Sequence, residues 1–122
     1  MCITESLQRG HIRIELPLWP VTKNTIWRCV GGRILLSKRG RQFFADGCRL
    51  IGTGHETIRG PVTVTVELRP PDRRKRDIDG PIPGILDLLT RSAILADDSQ
   101  VDHLTVSRGT IKKGGEFTVE IQ

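Results

Sequence analysis

Residues 61–80 read Pro-Val-Thr-Val-Thr-Val-Glu-Leu-Arg-Pro-Pro-Asp-Arg-Arg-Lys-Arg-Asp-Ile-Asp-Gly and combine a strand pattern with a dense run of charge. In the first eight positions, aliphatic residues alternate with Thr and Glu, which predicts a half-buried β-strand over residues 61–68. The strand leads into residues 69–80, where five of the first eight side chains are Arg or Lys. Two aspartates, Asp77 and Asp79, follow this cationic run.

Asp77 and Asp79 are candidate metal ligands. In extended backbone, side chains alternate with a period of two, so both carboxylates are expected on one face. Two carboxylates about 4 Å apart repel by roughly 4 kcal/mol at a surface-like dielectric, and a divalent cation would remove that cost. Mg²⁺ commonly takes one or two carboxylates together with water and substrate phosphate. The alternative is a solvated basic turn that contains Asp-Ile-Asp by chance.

The cationic residues next to this pair predict binding of a polyanion, above all the phosphates of a nucleic acid. We call residues 73–76 the cationic arm. The whole chain has a net charge of +5, which favours an anionic partner. Residues 77–102 are the exception, because they hold six aspartates against the single cation Arg91. A basic surface around an acidic patch is what a metal-dependent enzyme acting on nucleic acid would need.

Length and composition predict one small domain. The 122 residues, 37% hydrophobic and 27% charged, are expected to form a single domain over residues 11–122 behind a flexible N-terminus at residues 1–10. The three cysteines have no metal-ligand spacing and are interpreted as reduced thiols. No signal peptide, membrane span or Gly-rich nucleotide loop is evident. We therefore expect a cytoplasmic protein with neither a membrane partner nor an organic cofactor.

The remaining patterns predict an α+β fold with a mixed sheet of about five strands and two helices, in the order β-β-α-β-α-β-β. Ser37 is a suitable N-cap for the first helix, and Arg33 to Leu36 is expected to close a hairpin on the first strand. Pro81 stands in the first turn of the second helix. Its expected buried stripe is Ile82, Ile85, Leu86 and Leu89. The predicted strands are 11–16, 33–36, 61–68, 103–112 and 116–122, and the predicted helices are 37–51 and 81–93.

A second acidic group, Asp97-Asp98, follows the second helix. A helix of about 13 residues is roughly 20 Å long, so this group reaches Asp77 and Asp79 only if the chain turns back. In that case Asp98 or Asp97 supplies a third carboxylate. Three carboxylates could hold one or two divalent ions for cleavage of a phosphodiester. The alternative is a solvated turn or a cap of the following segment.

These segments together resemble the RusA family of Holliday junction resolvases. The resemblance is carried by residues 71–79, Asp87-Leu88-Leu89-Thr90, residues 97–101 and the ending Lys112-Lys113-Gly114-Gly115, together with an early segment that starts at Leu16-Pro17 and includes Asn24. It covers about residues 11–122. It implies a small, homodimeric, Mg²⁺-dependent endonuclease that resolves four-way DNA junctions by paired nicks in DNA recombination and repair. The chain is expected to come from a phage or a prophage-derived locus.

The resemblance also assigns roles by motif position. Asp77, Asp79 and Asp98 would be the essential carboxylates and metal ligands, with Asp97 as a neighbour of open role. A two-fold dimer would present two identical sites to the two strands that are cut. The candidates for DNA binding are Arg69, Arg73, Arg74, Lys75, Arg76, Lys112 and Lys113. Backbone contacts of this kind position the DNA, so recognition is expected to be of shape.

Two positions depart from the family pattern. The family usually has Asn directly after the second Asp and Lys in the first turn of the following helix, where this chain has Gly80 and Pro83. That lysine could neutralise charge that develops on the phosphate, and here Lys75, Lys112 or Lys113 would have to replace it. Gly80 and Pro83 leave open an alternative function, a catalytically weakened protein that binds junction DNA. A third possibility is a domain unrelated to DNA, in which Asp-Ile-Asp binds the metal of a nucleotide sugar as in some glycosyltransferases. The short chain disfavours it, because no room remains for a nucleotide-binding domain.

Overall fold

The computed structural model describes residues 2–5, as backbone, and residues 11–122. Seven strands and two helices follow one another along the described chain. The strands are β1 (Cys2–Glu5), β2 (Ile12–Leu16), β3 (Trp27–Val30), β4 (Arg33–Leu36), β5 (Val62–Arg69), β6 (Val101–Arg108) and β7 (Glu116–Ile121). The helices are α1 (Lys38–Ile51) and α2 (Ile82–Arg91), and a 3₁₀ turn at Asp98–Gln100 leads into β6.

Five of the strands form one mixed sheet in the order β1-β2-β7-β5-β6, in which β5 and β6 are parallel and all other neighbours are antiparallel. The α+β class with two helices is therefore confirmed. The membership of the sheet differs from the prediction, because β1 belongs to it and the expected strand at residues 33–36, β4, does not. β4 pairs with β3 in a separate two-stranded sheet.

The expected hairpin between Arg33–Leu36 and the first strand is wrong. Both edges of β2 are already taken, by β1 on one side and β7 on the other. β3 and β4 instead close on each other through Gly31 and Gly32, both of which have positive φ. Closing so short a loop costs less chain entropy than bringing β4 back to β2.

The N-terminal segment is described only in part. Residues 2–5 form β1 along β2, whereas Met1 and residues 6–10 lie outside the described residues. The expected flexibility of residues 1–10 stays a prediction.

Helix α1 begins where the sequence predicts. The Ser37 hydroxyl accepts a hydrogen bond from the Gly40 N–H at 3.0 Å, which satisfies one of the free donors of the first turn. The two glycines of α1 lie where the helix backbone comes close to neighbouring residues. A Cβ at Gly40 would lie 2.8 Å from the carbonyl oxygen of Ile26, and one at Gly47 would lie 2.7 Å from Leu88 Cδ1. Gly47 therefore sets how closely α1 and α2 pack.

Helix α2 is shorter than the predicted 81–93, and its buried face is broader. Ile82, Ile85 and Leu89 are buried as expected, Leu86 is half-buried, and Leu88 is fully buried although the predicted stripe omitted it. The helix ends before Ala93, which has a φ of 62°. The Ile94 N–H then bonds back to the Leu89 carbonyl at 3.0 Å. The chain thus reverses directly after α2.

The sheet fixes where the two acidic groups enter. β6 and β7 do not pair with each other, because β5 lies between them. Since β5 and β6 are parallel, with Val62 opposite Val101, residues 97–100 enter at the end where β5 begins. Residues 70–80 leave from the opposite end of β5.

Neither helix of the described chain has the length and apolar character that crossing a lipid bilayer requires.

Candidate metal and nucleic-acid site

Asp77 and Asp79 lie at the entrance to α2, and both are exposed. Asp79 belongs to the turn at residues 78–81, in which the Gly80 N–H bonds to the Asp77 carbonyl at 3.4 Å. The expectation that this pair sits in extended backbone is therefore wrong for Asp79. The physical reason is the start of the helix, since the Ile82 N–H already bonds to the Asp79 carbonyl at 3.2 Å.

Lys23 holds this turn through both its side chain and its backbone. Its Nζ lies 2.9 Å from Asp79 Oδ2, and its N–H donates to the Gly80 carbonyl at 2.9 Å. The hydrogen bond from Lys23 lowers the pKa of Asp79. Asp79, by its hydrogen bond and charge, raises the pKa of Lys23, and the charge of Asp77 adds to that shift. Both carboxylates therefore stabilise the charged form of Lys23.

Sequence reasoning missed Lys23 as a site residue. It stands 56 positions before Asp79, in an irregular loop, so no local spacing connects the two. The available signal was its place beside Asn24, within the early segment that resembles the RusA family. Lys75, which was expected to supply charge here, lines a cleft of about 200 Å³ together with Lys23, Asn24 and Asp77.

Asp97 and Asp98 have different surroundings. The Asp97 carboxylate accepts a hydrogen bond from the Ser99 N–H at 3.0 Å, and the Gln100 side chain accepts one from the Asp97 N–H at 2.8 Å. This reciprocal pair is a capping box for the turn into β6. The bond from Ser99 lowers the pKa of Asp97. Asp97 thus has a structural task that its neighbour Asp98 does not share.

Asp98 is exposed and reaches back toward α2. It lines a surface groove together with Pro83, Leu86 and Asp87 of that helix. The reversal after α2 therefore brings Asp98 alongside the first turns of the helix that Asp77 and Asp79 precede. Gln100 fixes this loop by donating to the carbonyls of Ile58 and Gly60 at 3.0 and 2.8 Å.

The three expected metal ligands are only partly brought together. Within residues 2–5 and 11–122, no three His, Cys, Asp or Glu side chains form a group that could hold a metal ion. Asp77 and Asp79 are close in sequence, exposed, and supply the oxygen donors that Mg²⁺ prefers, so the pair fits this ion. Asp98 does not complete a three-carboxylate site within one chain.

Asp72 fixes the conformation of the cationic arm by accepting hydrogen bonds from two of its arginines. The Asp72 carboxylate accepts hydrogen bonds from Arg76 Nη1 at 2.7 Å and from the Arg74 N–H at 2.9 Å. The bond from Arg76, followed by that from Arg74, lowers the pKa of Asp72 to about 2. Arg76 also lies over the Trp19 ring, 5.6 Å from its centroid. The loop thus presents its remaining cations outward.

The seven predicted DNA-binding cations divide into two sets. Three have acidic partners at short range, since Arg69 bonds to Glu67 and Glu116, Lys112 to Glu116, and Arg76 to Asp72. Of these three, Arg69 and Arg76 are half-buried and Lys112 is exposed, whereas the other four are all exposed. They are Arg73, Arg74, Lys75 and Lys113, of which Arg74 has a long 3.8 Å contact with Asp72.

Arg108 is a further cation of this surface that sequence reasoning missed. Its Nη2 donates to the Arg76 carbonyl at 2.7 Å. Together with the arm it lines a cleft of about 410 Å³. The parallel pairing of β6 with β5 brings Arg108 here, opposite Leu68. No pattern within the sequence of β6 signals that neighbour.

Known proteins resemble this chain over nearly its whole length. The sequence profile described as Endodeoxyribonuclease RusA matches residues 17–122. The chain belongs to the RusA family. The resemblance inferred from the motifs is thereby confirmed, and the matched residues include every candidate site residue named above.

Relatives of the RusA family come from both bacteria and phages. The crossover junction endodeoxyribonuclease RusA of Escherichia coli K12 is 33% identical over 110 residues, which cover 88% of this chain and 91% of the relative. The protein of the same name from Enterobacteria phage HK97 is 30% identical over 105 residues, covering 84% and 88%. That from Enterobacteria phage 82 is 33% identical over 110 residues, covering 88% and 91%.

Proposed function

We propose that this chain is a Mg²⁺-dependent crossover junction endodeoxyribonuclease, a cytoplasmic enzyme that resolves four-way DNA junctions by paired nicks during recombination and repair. The observation that carries the proposal is the exposed pair Asp77 and Asp79 at the start of α2, directly after the cationic arm, in a chain of the RusA family. Carboxylates for a metal and cations for phosphate thus stand side by side on one continuous stretch.

The chain's own residues have separable tasks in this proposal. Asp77 and Asp79 would hold Mg²⁺, with Asp98 as the third carboxylate. The bound ion would activate water and stabilise the leaving oxygen of the phosphodiester. Arg73, Arg74, Lys75 and Lys113 contact the DNA backbones, and their exposure suits that role. Arg69, Arg76 and Lys112 support the surface through the carboxylates that they bind.

Lys23 supplies the cation next to the carboxylate pair. Pro83, where the family usually has Lys, is exposed and carries no charge. Lys23 reaches the same pair from another element, at 2.9 Å from Asp79. It orients Asp79 and would offset charge on a phosphate bound at the site. A fixed cation of this kind is the type of electrostatic contribution that lowers a phosphoryl-transfer barrier.

The active form is a homodimer, and a two-fold axis gives the two sites that paired nicking needs. The failure of Asp98 to join Asp77 and Asp79 within one described chain supports the dimer, because a second copy is a ready source of the missing ligand.

The decisive experiment combines the purified chain with a synthetic four-way junction and Mg²⁺. We expect two symmetric nicks in wild type, no nicks in Asp77→Asn, and equal junction binding by both proteins when Ca²⁺ replaces Mg²⁺. Asp46→Asn, which alters a half-buried carboxylate on α1 outside the proposed site, serves as a control that should cleave normally. If the dimer neutralises about eight phosphates, log affinity should fall against log salt with a slope near −7.

The second candidate function is junction binding with little or no cleavage, favoured by the uncharged Pro83 at the start of α2. Tight junction binding without nicks at any Mg²⁺ or Mn²⁺ concentration would establish it. Substitution Pro83→Lys then becomes informative, since recovered cleavage would show that only the missing charge had silenced the site.

A further inference from the structure

The hairpin of β3 and β4 exposes several large apolar side chains. Trp27 is 48% exposed and Ile34 71%, and Val30 and Leu35 are exposed as well. A two-stranded hairpin by itself is marginally stable in water, and contiguous exposed apolar surface commonly marks an interaction site. The hairpin is therefore a candidate for contact with a partner.

The two faces of this hairpin have different chemistry. Residues directly opposite in an antiparallel pair project to the same side. Cys29 stands opposite Ile34, and Trp27 opposite Leu36, so one face is wholly apolar. The other face carries the pairs Arg28–Leu35 and Val30–Arg33, and so presents two cations among aliphatic residues. We call the first the apolar face and the second the arginine face.

A groove with matching chemistry begins at the base of the hairpin. It has a volume of about 460 Å³ and is lined by Ile26, Trp27, Ile82, Pro83, Leu86, Asp87 and Asp98. Its floor is apolar, its only charged lining residues are the two aspartates, and none of the described residues that line it is Lys or Arg. The groove is thus an apolar trough with two carboxylates, of which Asp87 also bonds to Arg91 Nε at 3.1 Å.

The chain carries both halves of one interface. We propose that the hairpin of one copy docks into this groove of a second copy, with the apolar face on Pro83 and Leu86. Arg28 and Arg33, on long flexible stems, then extend toward Asp87, while Asp98 stays available as the proposed metal ligand. In a two-fold dimer each copy gives its hairpin and receives its partner's, so both contacts form twice. The inference rests on the homodimer of the proposed function and assigns the surface that makes it.

DNA is the other class of partner that these arginines would suit. Phosphates, however, would satisfy only Arg28 and Arg33 and would leave Ile34 and Val30 in water. Opposite charge across an interface favours the protein partner and sets its register. A second copy satisfies the apolar face and the charges together.

The primary test measures the mass of the full chain in solution, without DNA, by analytical ultracentrifugation. Wild type is expected to be dimeric at micromolar concentration, and Ile34→Asp to dissociate at least tenfold more readily. Ile111→Asp is the matched control, because Ile111 is also exposed, at 48%, and lies outside hairpin and groove. Circular dichroism verifies that each variant is folded. A dimeric, folded Ile34→Asp protein, or a monomeric wild type, would overturn the inference.

A charge exchange tests the register. Arg33→Glu and Asp87→Lys should each weaken the dimer, because each places like charges across the interface. An equimolar mixture of the two variants should recover the dimer as a heterodimer, because the introduced glutamate meets the introduced lysine at one interface and the native Arg33 meets the native Asp87 at the other. The double variant should recover both interfaces. Asp98 is left unchanged, because it is a proposed metal ligand. Equal dimer affinity in all these proteins would count against the docking.

Cys29 offers a readout in the unmodified chain. It is exposed on the apolar face. Its alkylation, followed by peptide mapping, should slow as wild-type concentration rises and should be independent of concentration in Ile34→Asp. Protection of Cys29 only after junction DNA is added to a monomer would assign the hairpin to DNA instead.

Cleavage separates this inference from the proposed function. If dimeric wild type binds the junction and leaves it intact, the proposed function fails and the docking stands. If Ile34→Asp stays dimeric and nicks the junction normally, the docking fails and the proposed function stands.

Discussion

Lys23 Nζ lies 2.9 Å from Asp79 Oδ2, although the two residues are 56 positions apart. The Lys23 N–H also donates to the Gly80 carbonyl at 2.9 Å, so backbone and side chain hold the same turn. A loop before the hairpin is thereby attached to the entrance of α2. This relationship gives the carboxylate pair a fixed positive neighbour.

Substitution of Lys23 by Met should separate cleavage from metal binding. We expect junction cleavage to fall by about tenfold to a hundredfold, less than the loss from removing a buried oxyanion donor. Divalent-ion affinity, measured by calorimetry, should rise, because a competing cation has left Asp79. Lys23→Arg should retain most of the rate, and Lys38→Met, an exposed lysine on α1, should change neither quantity. Unchanged cleavage in Lys23→Met would remove Lys23 from the mechanism.

Asp97 and Asp98 should respond differently to substitution. Asp97→Ala removes a capping side chain and should cost about 1 kcal/mol in the free energy of unfolding, with a nearly normal cleavage rate. Asp98→Asn should leave the stability unchanged and abolish cleavage. Urea denaturation and junction cleavage, both measured on both variants, test the assignment. The reverse pattern would make Asp97 the metal ligand.

Gly40→Ala should destabilise the protein although it places a better helix former in α1. The added Cβ would lie 2.8 Å from the backbone oxygen of Ile26, and a buried backbone cannot move aside cheaply. We expect a loss of about 1–3 kcal/mol, which exceeds the gain in helix propensity of about 1 kcal/mol. Ala45→Gly, at an exposed position of the same helix, should lose only the propensity difference. A more stable Gly40→Ala protein would show that α1 moves freely against residue 26.

The conformation of the cationic arm should depend on the ionisation of Asp72. Its pKa in the folded protein is lowered to about 2 from the ordinary value of 3.8. A lowered folded pKa means that ionised Asp72 stabilises the fold above about pH 3.8 and that this contribution disappears as pH falls through 2. An NMR titration of the Asp72 carboxyl should give a midpoint near 2 in wild type. Its midpoint should rise toward 3.8 in Arg76→Gln, since Arg76 is the largest cause of the shift.

The same contact predicts an effect on DNA binding at neutral pH. Asp72→Asn weakens the bonds to Arg76 and Arg74 that shape the arm. Junction affinity should fall several-fold even though a negative charge has been removed. If simple net charge governed binding, the affinity would rise instead.

Much of the local structure follows from the sequence. The alternating aliphatic residues of β5 are buried on one side of the sheet, and Ser37 caps α1, as predicted. These features depend on interactions within a few residues, so sequence spacing is sufficient to predict them. The motif Asp-Ile-Asp with Asp97-Asp98 also carries the resemblance to the RusA family within the sequence itself. The metal and DNA roles of these residues stay predictions.

Strand pairing and long-range ion pairs could not be predicted from the sequence. The pairing of β4 depended on which edges of β2 were free, and the neighbour of Arg108 depended on β6 running parallel to β5. The sequence by itself determined the elements, the charge pattern and the candidate carboxylates. Tertiary structure alone assigned Lys23 to Asp79, gave Asp97 its capping role and exposed the hairpin. Such choices depend on competition among distant partners, which no local spacing records.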